Sequence, residues 1–287
     1  ASFAAVDLGA TSGRVVLGRV GPGTLQLREI ARFPNTAVRI TDGLHWNMLE
    51  LHRSILDGLA AAVRLEPQLA SIGIDSWAVD YALLRHGRML GNPYSHRDDR
   101  IASGVDAVHA IASPRELYAR NGLQHLPFNT LFQLAADRLT GDLDTADRML
   151  LIPDLLAYWL TGIQIAERTN ASTTGLLDVT TGQWDVDLAS RLSIPNTLLA
   201  PLVNPGTELG PLTALADTRA VVTAVGSHDT ASAIVAIPAT EPGVAYISCG
   251  TWSLVGVELP HPILTEEARL AGFTNERSAS APPSVAA

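Results

Sequence analysis

The sequence predicts an α/β fold, with one complete ribonuclease-H-like lobe followed by the beginning of a second, similar lobe. The first observation behind this prediction is the order of the elements: three strand-like runs, a helix-like run and a further strand-like run open the chain. This βββαβ order is typical of a ribonuclease-H-like lobe. The second observation is a repeat, because "GATS" at 9–12 and "GTWS" at 250–253 each lie between two apolar runs. Such a repeat indicates two lobes of one ancestry, whose loops face each other.

The individual elements follow from local patterns. The runs "SFAAVD", "RVVLGRV", "LQLREIARF" and "LHWN", separated by "GPG" and "TDG" turns, predict an antiparallel start. In "MLELHRSILDGLAAAVRL" the apolar residues recur every three or four positions, which predicts a helix, and "LASIGIDSWAVDYALL" returns to strands. Further helices are predicted in "SPRELYARNG", "NTLFQLAADRL", "PDLLAYWLTG" and "VDLASRLSI", several of which have capping residues near their ends.

A domain boundary is predicted just before "VVTAVGSHDTASAIVAI", after a stretch that contains proline and glycine. The N-terminal lobe is therefore expected to span 1–220, and a partial second lobe 221–276. Residues 277–287 are biased to Ser, Ala and Pro, which predicts a disordered or out-of-frame tail. If both lobes share one architecture, the residues after Gly250 are too few to complete the second. We therefore expect an exposed apolar face and self-association through it.

Composition excludes several classes of function. A formal net charge of −9 and the absence of a basic run argue against a nucleic-acid surface. The longest apolar stretch, "MLLIPDLLAYWL", is interrupted and too short to cross a bilayer, so no membrane partner is expected. The single cysteine, Cys249, cannot form an internal disulfide and is expected to be a packed small residue. These features predict a globular protein of the reducing cytoplasm.

The stretch "AVDLGATSGRVVLG" at 5–18 has the composition of a phosphate-binding loop. Its glycines allow positive φ angles and let an anion approach the backbone N–H groups, while hydroxyl and guanidinium groups add donors. The loop is neither a Walker A nor a dinucleotide loop, since a strand follows it and the chain contains no lysine. Asp7, at the end of the first strand, is placed to hold a hydrated Mg²⁺. An ordinary β-hairpin is the alternative.

The stretch "GSHDTAS" at 226–232 lies where a predicted strand meets a predicted helix. Phosphoryl transfer to an alcohol needs a carboxylate that accepts the hydroxyl proton, and Asp229 is the candidate. His228 and Thr230 would flank the sugar hydroxyls, and the dipole of the following helix would favour negative charge nearby. A hydrolase triad is disfavoured, because consecutive side chains point in different directions. The remaining alternative is that Asp229 only caps the helix.

The stretch "GIDSWAVDY" at 73–81 ends a strand with alternating polar and aromatic residues, as sugar-binding sites do. The candidate sugar contacts are Trp77 and Asp80, Arg97 and Asp98 in "SHRDDR", and Asn129 and Gln133 in "LPFNTLFQL". Alternatively, Trp77 belongs to the core, and Arg97 and Asp98 form a surface ion pair.

Seven blocks resemble the FGGY carbohydrate kinases, in order, from about residue 4 to residue 276. They are "AVDLGATSGR", "IGIDSWAVD", "LPFNTLFQL", "LIPDLLAYWLTG", "TNASTTGLLDV", "SHDTASA" and "SCGTWSL". The resemblance implies an actin-like ATPase fold and cytoplasmic transfer of the ATP γ-phosphate, with Mg²⁺, to a sugar. The blocks are most similar to the branch of the family that acts on the 1-hydroxyl of L-rhamnulose.

Carried over position by position, the resemblance implies a set of site residues. The first ATP-binding stretch falls on Ala10, Thr11, Ser12, Gly13 and Arg14, and the second on Thr251. The implied substrate contacts are Ala78, His228, Asp229 and Thr230, with Asp229 as the proton acceptor. The family usually has glycine at the position of Ala78, so the added methyl group is expected to narrow the pocket.

Two other functions are compatible with the sequence. One is a non-catalytic protein that keeps the first lobe and binds a sugar or a partner. The other is a kinase of the same family that acts on a ketopentose or on glycerol. Sugar binding without ATP turnover would favour the former, and a panel of substrates would identify the latter.

Overall fold

The structure, a computed structural model, describes residues 1–215, 218–238, 243–249 and 253–279 together with the backbone of 285–286. The strands are β1 (Ser2–Leu8), β2 (Ser12–Gly21), β3 (Thr24–Pro34), β4 (Val38–Ile40), β5 (Gly43–His45), β6 (Leu69–Ser76), β7 (Tyr81–Arg85), β8 (Arg88–Met89), β9 (Arg148–Leu151), β10 (Ala166–Glu167), β11 (Leu177–Asp178), β12 (Gln183–Trp184), β13 (Leu202–Val203), β14 (Glu208–Pro211), β15 (Val221–Thr223), β16 (Ala245–Cys249), β17 (Ser253–Leu259), β18 (Glu276–Arg277) and β19 (Val285–Ala286). The helices are α1 (Met48–Leu65), α2 (Ile101–His109), α3 (Pro114–Asn121), α4 (Thr130–Thr140), α5 (Ile152–Thr161), α6 (Arg168–Ala171), α7 (Val186–Arg191), α8 (Asp229–Val235) and α9 (Glu266–Leu270).

The largest sheet of the described residues has the strand order β14-β15-β6-β1-β2-β3. Strands β1, β2 and β3 form an antiparallel meander. Strand β6 pairs parallel to β1 on the other side, and β15 pairs parallel to β6. Parallel strands of one sheet require a crossover connection, and α1 lies in the connection that leads from β3 to β6. This topology confirms the predicted ribonuclease-H-like fold.

Helix α1 covers one face of this sheet, as its apolar period predicts. Asn47 caps its first turn by accepting the backbone N–H of Glu50 at 3.3 Å. Its buried stripe, which includes Leu51, Ile55 and Leu59, joins one hydrophobic core with alternate residues of β1, β2 and β6 and with residues of α5. The buried apolar residues recur about every 3.6 positions on the helix and every second position on the strands, and both sets pack into this core.

A second hydrophobic core lies between α2, α3, α4, α7 and the strands β7 and β9. The predicted helices in "SPRELYARNG", "NTLFQLAADRL", "PDLLAYWLTG" and "VDLASRLSI" are confirmed as α3, α4, α5 and α7. The sequence did not predict α2, whose stretch "IASGVDAVH" has an N-terminus with no side-chain cap. Among the described helices, none combines the length and the apolar character that crossing a bilayer requires.

Two sequence predictions about strands need correction. The run "LHWN" does not extend the main meander, because β5 pairs with β4 in a separate two-stranded sheet. The boundary at 220/221 falls inside the first sheet, because Val221 and Val222 pair with Ser71 and Ile72 of β6. Strand β15 therefore belongs to the first lobe. In the predicted tail 277–287, residues 280–284 and 287 lie outside the described residues, and β19 pairs with β17 and β18.

The repeat of the opening pattern predicts a second β-hairpin, and the antiparallel pair β16–β17 confirms it. Ile247 and Val255 face each other across this hairpin and are 69% and 72% exposed, so it presents the expected open apolar face. Cys249 lies on β16 and is exposed, so its prediction as a packed residue is wrong. The pairing of the hairpin leaves its thiol on an uncovered surface.

Gly104 allows α2 and α4 to cross closely, and this contact generates a stability prediction. A methyl group at Gly104 would overlap the carbonyl oxygen of Phe132 in α4. We expect Gly104→Ala to destabilise the protein by about 1–3 kcal/mol through overpacking, as measured by urea unfolding. Gly91→Ala is the matched control, because a methyl group there would meet no atom within 4 Å beyond its chain neighbours. Equal stability of the two variants would contradict the tight helix crossing.

Candidate active site

The carboxyl ends of three strand segments meet at one edge of the main sheet. The N–H of Ser76, at the end of β6, donates to the carbonyl of Ser227 at 3.0 Å, and the N–H of Trp77 donates to Leu8 O at 3.1 Å. His228 forms a further parallel bridge with Ser76. Open α/β sheets bind ligands at this edge. The parallel pairing thus brings together the stretches around Asp7, Ala78 and Asp229, which are far apart in sequence.

The loop between β1 and β2 is closed by its own backbone and by Asn35. Gly9 N donates to Ser12 O at 2.9 Å, while the side chain and backbone N–H of Asn35 donate to Gly9 O at 2.8 Å and Thr11 O at 3.0 Å. No described residue accepts the N–H groups of Ala10 and Thr11. With three of its carbonyls occupied and two N–H groups unpaired, the loop suits an anionic ligand. Asn35 was not identified from the sequence.

The glycines of this loop do not adopt the positive φ angles that the sequence pattern predicted. Neither Gly9 nor Gly13 is among the described glycines with positive φ. A methyl group at Gly13 would instead overlap the ring of Phe33 on β3. Gly13 is therefore required by close packing in the meander.

Asp7 and Arg14 face each other across the β1–β2 pair and form an ion pair of 2.5 Å. Both side chains are part exposed, so the pair contributes little to stability. Among the described residues, no group of three or more His, Cys, Asp or Glu side chains is arranged to hold a metal ion. Asp7 by itself fits a Mg²⁺ that takes its remaining ligands from water and phosphate oxygens.

Asp75, which the sequence reasoning did not single out, lies beside Asp7 in the parallel register of β1 and β6. Burial, and then the charges of Asp7 and Asp229, raise the pKa of Asp75 well above its usual range. Burial and the two neighbouring carboxylates therefore all disfavour the charged form of Asp75. Asp75 keeps its proton to higher pH than an ordinary aspartic acid. The signal for it was a second aspartate at the end of an apolar run.

His228 is buried, with 8% of its surface exposed, and lies between two carboxylates. Its Nδ1 is 3.0 Å from Glu276 Oε2, and its Nε2 is 3.5 Å from Asp229 Oδ1. Burial is the largest single influence and acts to lower the pKa of His228. The charge and hydrogen bond of Glu276, together with the charges of Asp229 and Glu167, outweigh burial and raise that pKa to about 8. The imidazole is therefore a cation at neutral pH. Glu276 was not identified from the sequence.

Asp229 is the first residue of α8 rather than its N-cap, which is His228. Its Oδ1 accepts the backbone N–H of Thr230 at 2.7 Å, and the hydroxyl of Thr230 at 3.3 Å. No described residue hydrogen-bonds its Oδ2, and 40% of the side chain is exposed. Burial raises the pKa of Asp229, and the His228 cation opposes that rise. One oxygen of the carboxylate thus bonds the first turn of α8, and the other is open.

Ala78 is half-buried at the sharp turn after β6. Its carbonyl accepts the N–H of Asp80 at 2.9 Å, and Val79 between them has a φ of 68°, a conformation that a β-branched residue rarely adopts. Thr251, the remaining implied ATP contact, lies outside the described residues. Strain at Val79 is typical of turns held in place for function.

Asp80 is fully buried and accepts hydrogen bonds from four side chains. Its donors are Trp46 Nε1 at 2.6 Å, Trp77 Nε1 at 2.9 Å, His96 Nδ1 at 2.8 Å and Gln133 Nε2 at 3.1 Å. The ring of Trp77 is also buried, with its centroid 4.4 Å from that of Trp46. Trp77 is therefore a core residue, which was the alternative to a sugar contact. Asp80 holds together the side chains that donate to it.

The other polar candidates are also tied into the fold. Asp98 accepts the backbone N–H groups of Leu44 at 2.7 Å and Arg100 at 3.0 Å. The Arg97–Asp98 ion pair, the alternative to a sugar contact, is not among the ion pairs of the described residues. Asn129 donates to the carbonyl of Thr173 at 2.9 Å. These side chains fix loops next to the site, because buried polar groups need partners.

Comparison with known protein families matches residues 3–236 to the N-terminal domain of the FGGY family of carbohydrate kinases. The rhamnulokinase of Pectobacterium atrosepticum is 44% identical over 280 residues, which cover 96% of this chain and 56% of that relative. The rhamnulokinase of Bacillus subtilis is 41% identical over 285 residues, with 97% and 58% covered. The chain thus spans little more than half the length of these relatives.

A solved structure of ligand-bound xylulose kinase from Lactobacillus acidophilus is similar to the fold, with a TM-score of 0.85 at 16% identity. The similarity covers 99% of this chain and 59% of the other. At this level of identity it supports the fold alone, which is the actin-like ATPase fold.

The buried His228–Glu276 pair makes stability depend on pH. Because the folded pKa of His228 is about 8 and its ordinary value is 6.5, the pair stabilises the fold fully below pH 6.5 and loses its effect as pH rises through 8. The expected loss is about 2 kcal/mol between pH 6 and pH 9, from urea unfolding at each pH.

Glu276→Gln is expected to bring the pKa of His228 to or below 6.5, as followed by NMR titration of the imidazole. Glu267→Gln on the exposed side of α9 is the control and should leave that pKa unchanged. A His228 pKa below 6.5 in the parent chain would show that burial outweighs Glu276.

Proposed function

The chain belongs to the FGGY family of carbohydrate kinases, and on that premise we propose that it transfers the γ-phosphoryl group of ATP to a sugar hydroxyl, with Asp229 as proton acceptor. The observation that carries the proposal is the open Oδ2 of Asp229 at the carboxyl edge of the sheet, beside the loop with unpaired N–H groups. Acceptor carboxylate and phosphate donors are the two parts that phosphoryl transfer to an alcohol needs.

The pKa shifts at the site support a carboxylate that accepts a proton beside a loop that binds phosphate. Burial raises the pKa of Asp229, which brings its proton affinity closer to that of a useful general base. The neighbouring His228 cation opposes that rise and favours the ionised carboxylate, and its Nε2 lies 3.5 Å from Asp229 Oδ1. Asp75, with its raised pKa, limits the negative charge that a phosphate would meet.

Residues of the β1–β2 loop fit the phosphates of a nucleotide. The N–H groups of Ala10 and Thr11, with the hydroxyls of Thr11 and Ser12, would hold phosphate oxygens, and Asp7 would hold Mg²⁺ through water. Bound Mg·ATP supplies the phosphoryl group and neutralises its charge. Arg14, which pairs with Asp7 in this structure, is the nearest cation of the loop.

We propose L-rhamnulose as the sugar and its 1-hydroxyl as the acceptor. The support is the identity of 44% and 41% to two relatives named rhamnulokinase. The methyl group of Ala78 and the cation of His228 would contact the sugar from two sides. Action on a ketopentose or on glycerol, and sugar binding without turnover, are the competing functions.

Asp229→Asn tests the proposed proton acceptor. We expect kcat for ADP release with Mg·ATP and L-rhamnulose to fall about 10²- to 10⁴-fold, because an amide cannot take the hydroxyl proton. Sugar affinity, measured by calorimetry, should change at most a few-fold, since the amide oxygen still accepts hydrogen bonds. A coupled ADP-release assay with L-rhamnulose, a ketopentose and glycerol also identifies the substrate.

Asp57→Asn, an exposed aspartate on α1, is the control and should leave kcat unchanged. Full turnover in Asp229→Asn would exclude Asp229 as the base. Sugar binding by the parent chain with no turnover would favour the non-catalytic alternative.

A further inference from the structure

Glu167 is a buried carboxylate behind the segment that carries Asp229. Only 1% of its surface is exposed. Its Oε2 accepts both the backbone N–H of Ser227, at 2.9 Å, and the hydroxyl of Ser227, at 3.1 Å. Ser227 lies two residues before Asp229. One carboxylate oxygen thus fixes both the main chain and the side chain of Ser227, just before α8 begins.

The residues after Glu167 hold the same segment from a second side. Glu167 caps α6 by accepting Thr169 N at 2.8 Å and Asn170 N at 3.2 Å, and it also accepts the hydroxyl of Thr169 at 2.5 Å. The oxygen of that hydroxyl accepts the N–H of His228 at 3.5 Å, and Asn170 Nδ2 donates to Ser227 O at 3.4 Å. The main chain of 227–228 is therefore held through both its donors and its acceptor.

The chemistry at Glu167 requires a carboxylate. Each of its side-chain contacts is a donor pointing at an oxygen, so an amide nitrogen in place of either oxygen would face another donor. The adjacent buried acid, Asp154, differs, because its Oδ1 accepts Glu167 N at 3.2 Å and no described residue bonds its Oδ2. Burial, and then the charge of Glu167, raise the pKa of Asp154 well above its usual range. Burial also raises the pKa of Glu167, while the hydrogen bonds from Thr169, Ser227 and Asn170 act to lower it. The two acids thus differ in their donors, because Glu167 accepts several and Asp154 accepts one.

We propose that Glu167 is a positioning residue for the phosphoryl-transfer reaction: through Ser227 and Thr169 it fixes the backbone that carries His228 and Asp229. Glu167 is buried behind the segment and acts through it alone. The proposal rests on the proposed kinase function, in which Asp229 accepts the proton. Misplacement of a catalytic group by about 1 Å costs on the order of 100-fold in rate, which sets the expected effect.

The test compares Glu167→Gln with Asp154→Asn in the full chain. Both variants replace a buried acid with its amide. Only in Glu167→Gln does the new NH2 group face hydrogen-bond donors. For Glu167→Gln we expect kcat to fall about 100-fold with the KM for ATP unchanged. Amide exchange at 226–229 should speed up about ten- to a hundredfold, while β1 and β6 stay protected. Asp154→Asn should match the parent chain in both measurements.

The two readouts separate this proposal from the proposed function. If the parent chain releases no ADP with any sugar, the kinase proposal fails and amide exchange at 226–229 alone decides whether Glu167 fixes the segment. Unchanged exchange and kcat in Glu167→Gln would overturn the proposal, as would exchange that rises equally throughout β1 and β6.

Should Glu167→Gln not fold, Ser227→Ala removes one of the two Ser227 contacts. It should lower kcat several-fold at unchanged KM for ATP, and no change in it would likewise overturn the proposal.

Discussion

Parallel pairing of β1, β6 and β15 is the constraint on which the rest of the structure depends. Parallel strands end on the same side of a sheet, so the residues that follow each strand converge although they are far apart in sequence. Ser76 N bonds Ser227 O, and Trp77 N bonds Leu8 O, which extends the register one step past the strands. The phosphate-type loop, the Ala78 turn and the Asp229 segment inherit their relative positions from these backbone bonds.

Buried carboxylates then lock the irregular segments at that edge. Asp80 accepts hydrogen bonds from two indoles, an imidazole and an amide. Glu167 accepts hydrogen bonds from the backbone of α6 and of Ser227. A carboxylate accepts several donors at once, which suits loops whose N–H groups have no strand or helix partner. Removing such an acceptor would leave several donors buried and unpaired, at a cost well above that of one ordinary hydrogen bond. These acids therefore determine loop geometry close to the site while Asp229 itself stays open.

The charges at the site form a graded series rather than a simple acidic patch. Arg14 offsets Asp7, burial and the neighbouring carboxylates raise the pKa of Asp75, and the His228 cation lies between Glu276 and Asp229. Glu276 comes from β18, beyond the β16–β17 hairpin, so residues that follow the first lobe already set the charge state of its central histidine. This arrangement links the short C-terminal part of the chain to the chemistry of the N-terminal lobe.

The sequence by itself determined the βββαβ opening, the phosphate-type composition of the β1–β2 loop and the candidacy of Asp229, because period, turn composition and motif spacing are local properties. It could not give the end of the first lobe, since only pairing with β6 shows that β15 completes that sheet. Nor could it separate Trp77 and Asp80 as core from Asp229 as an open carboxylate, since exposure depends on which distant residues pack alongside. Asn35, Asp75, Glu167 and Glu276 were missed for the same reason: each acts on a partner distant in sequence. Only tertiary structure brings such partners within hydrogen-bond distance, and with them come the burial and the pKa shifts that define the site.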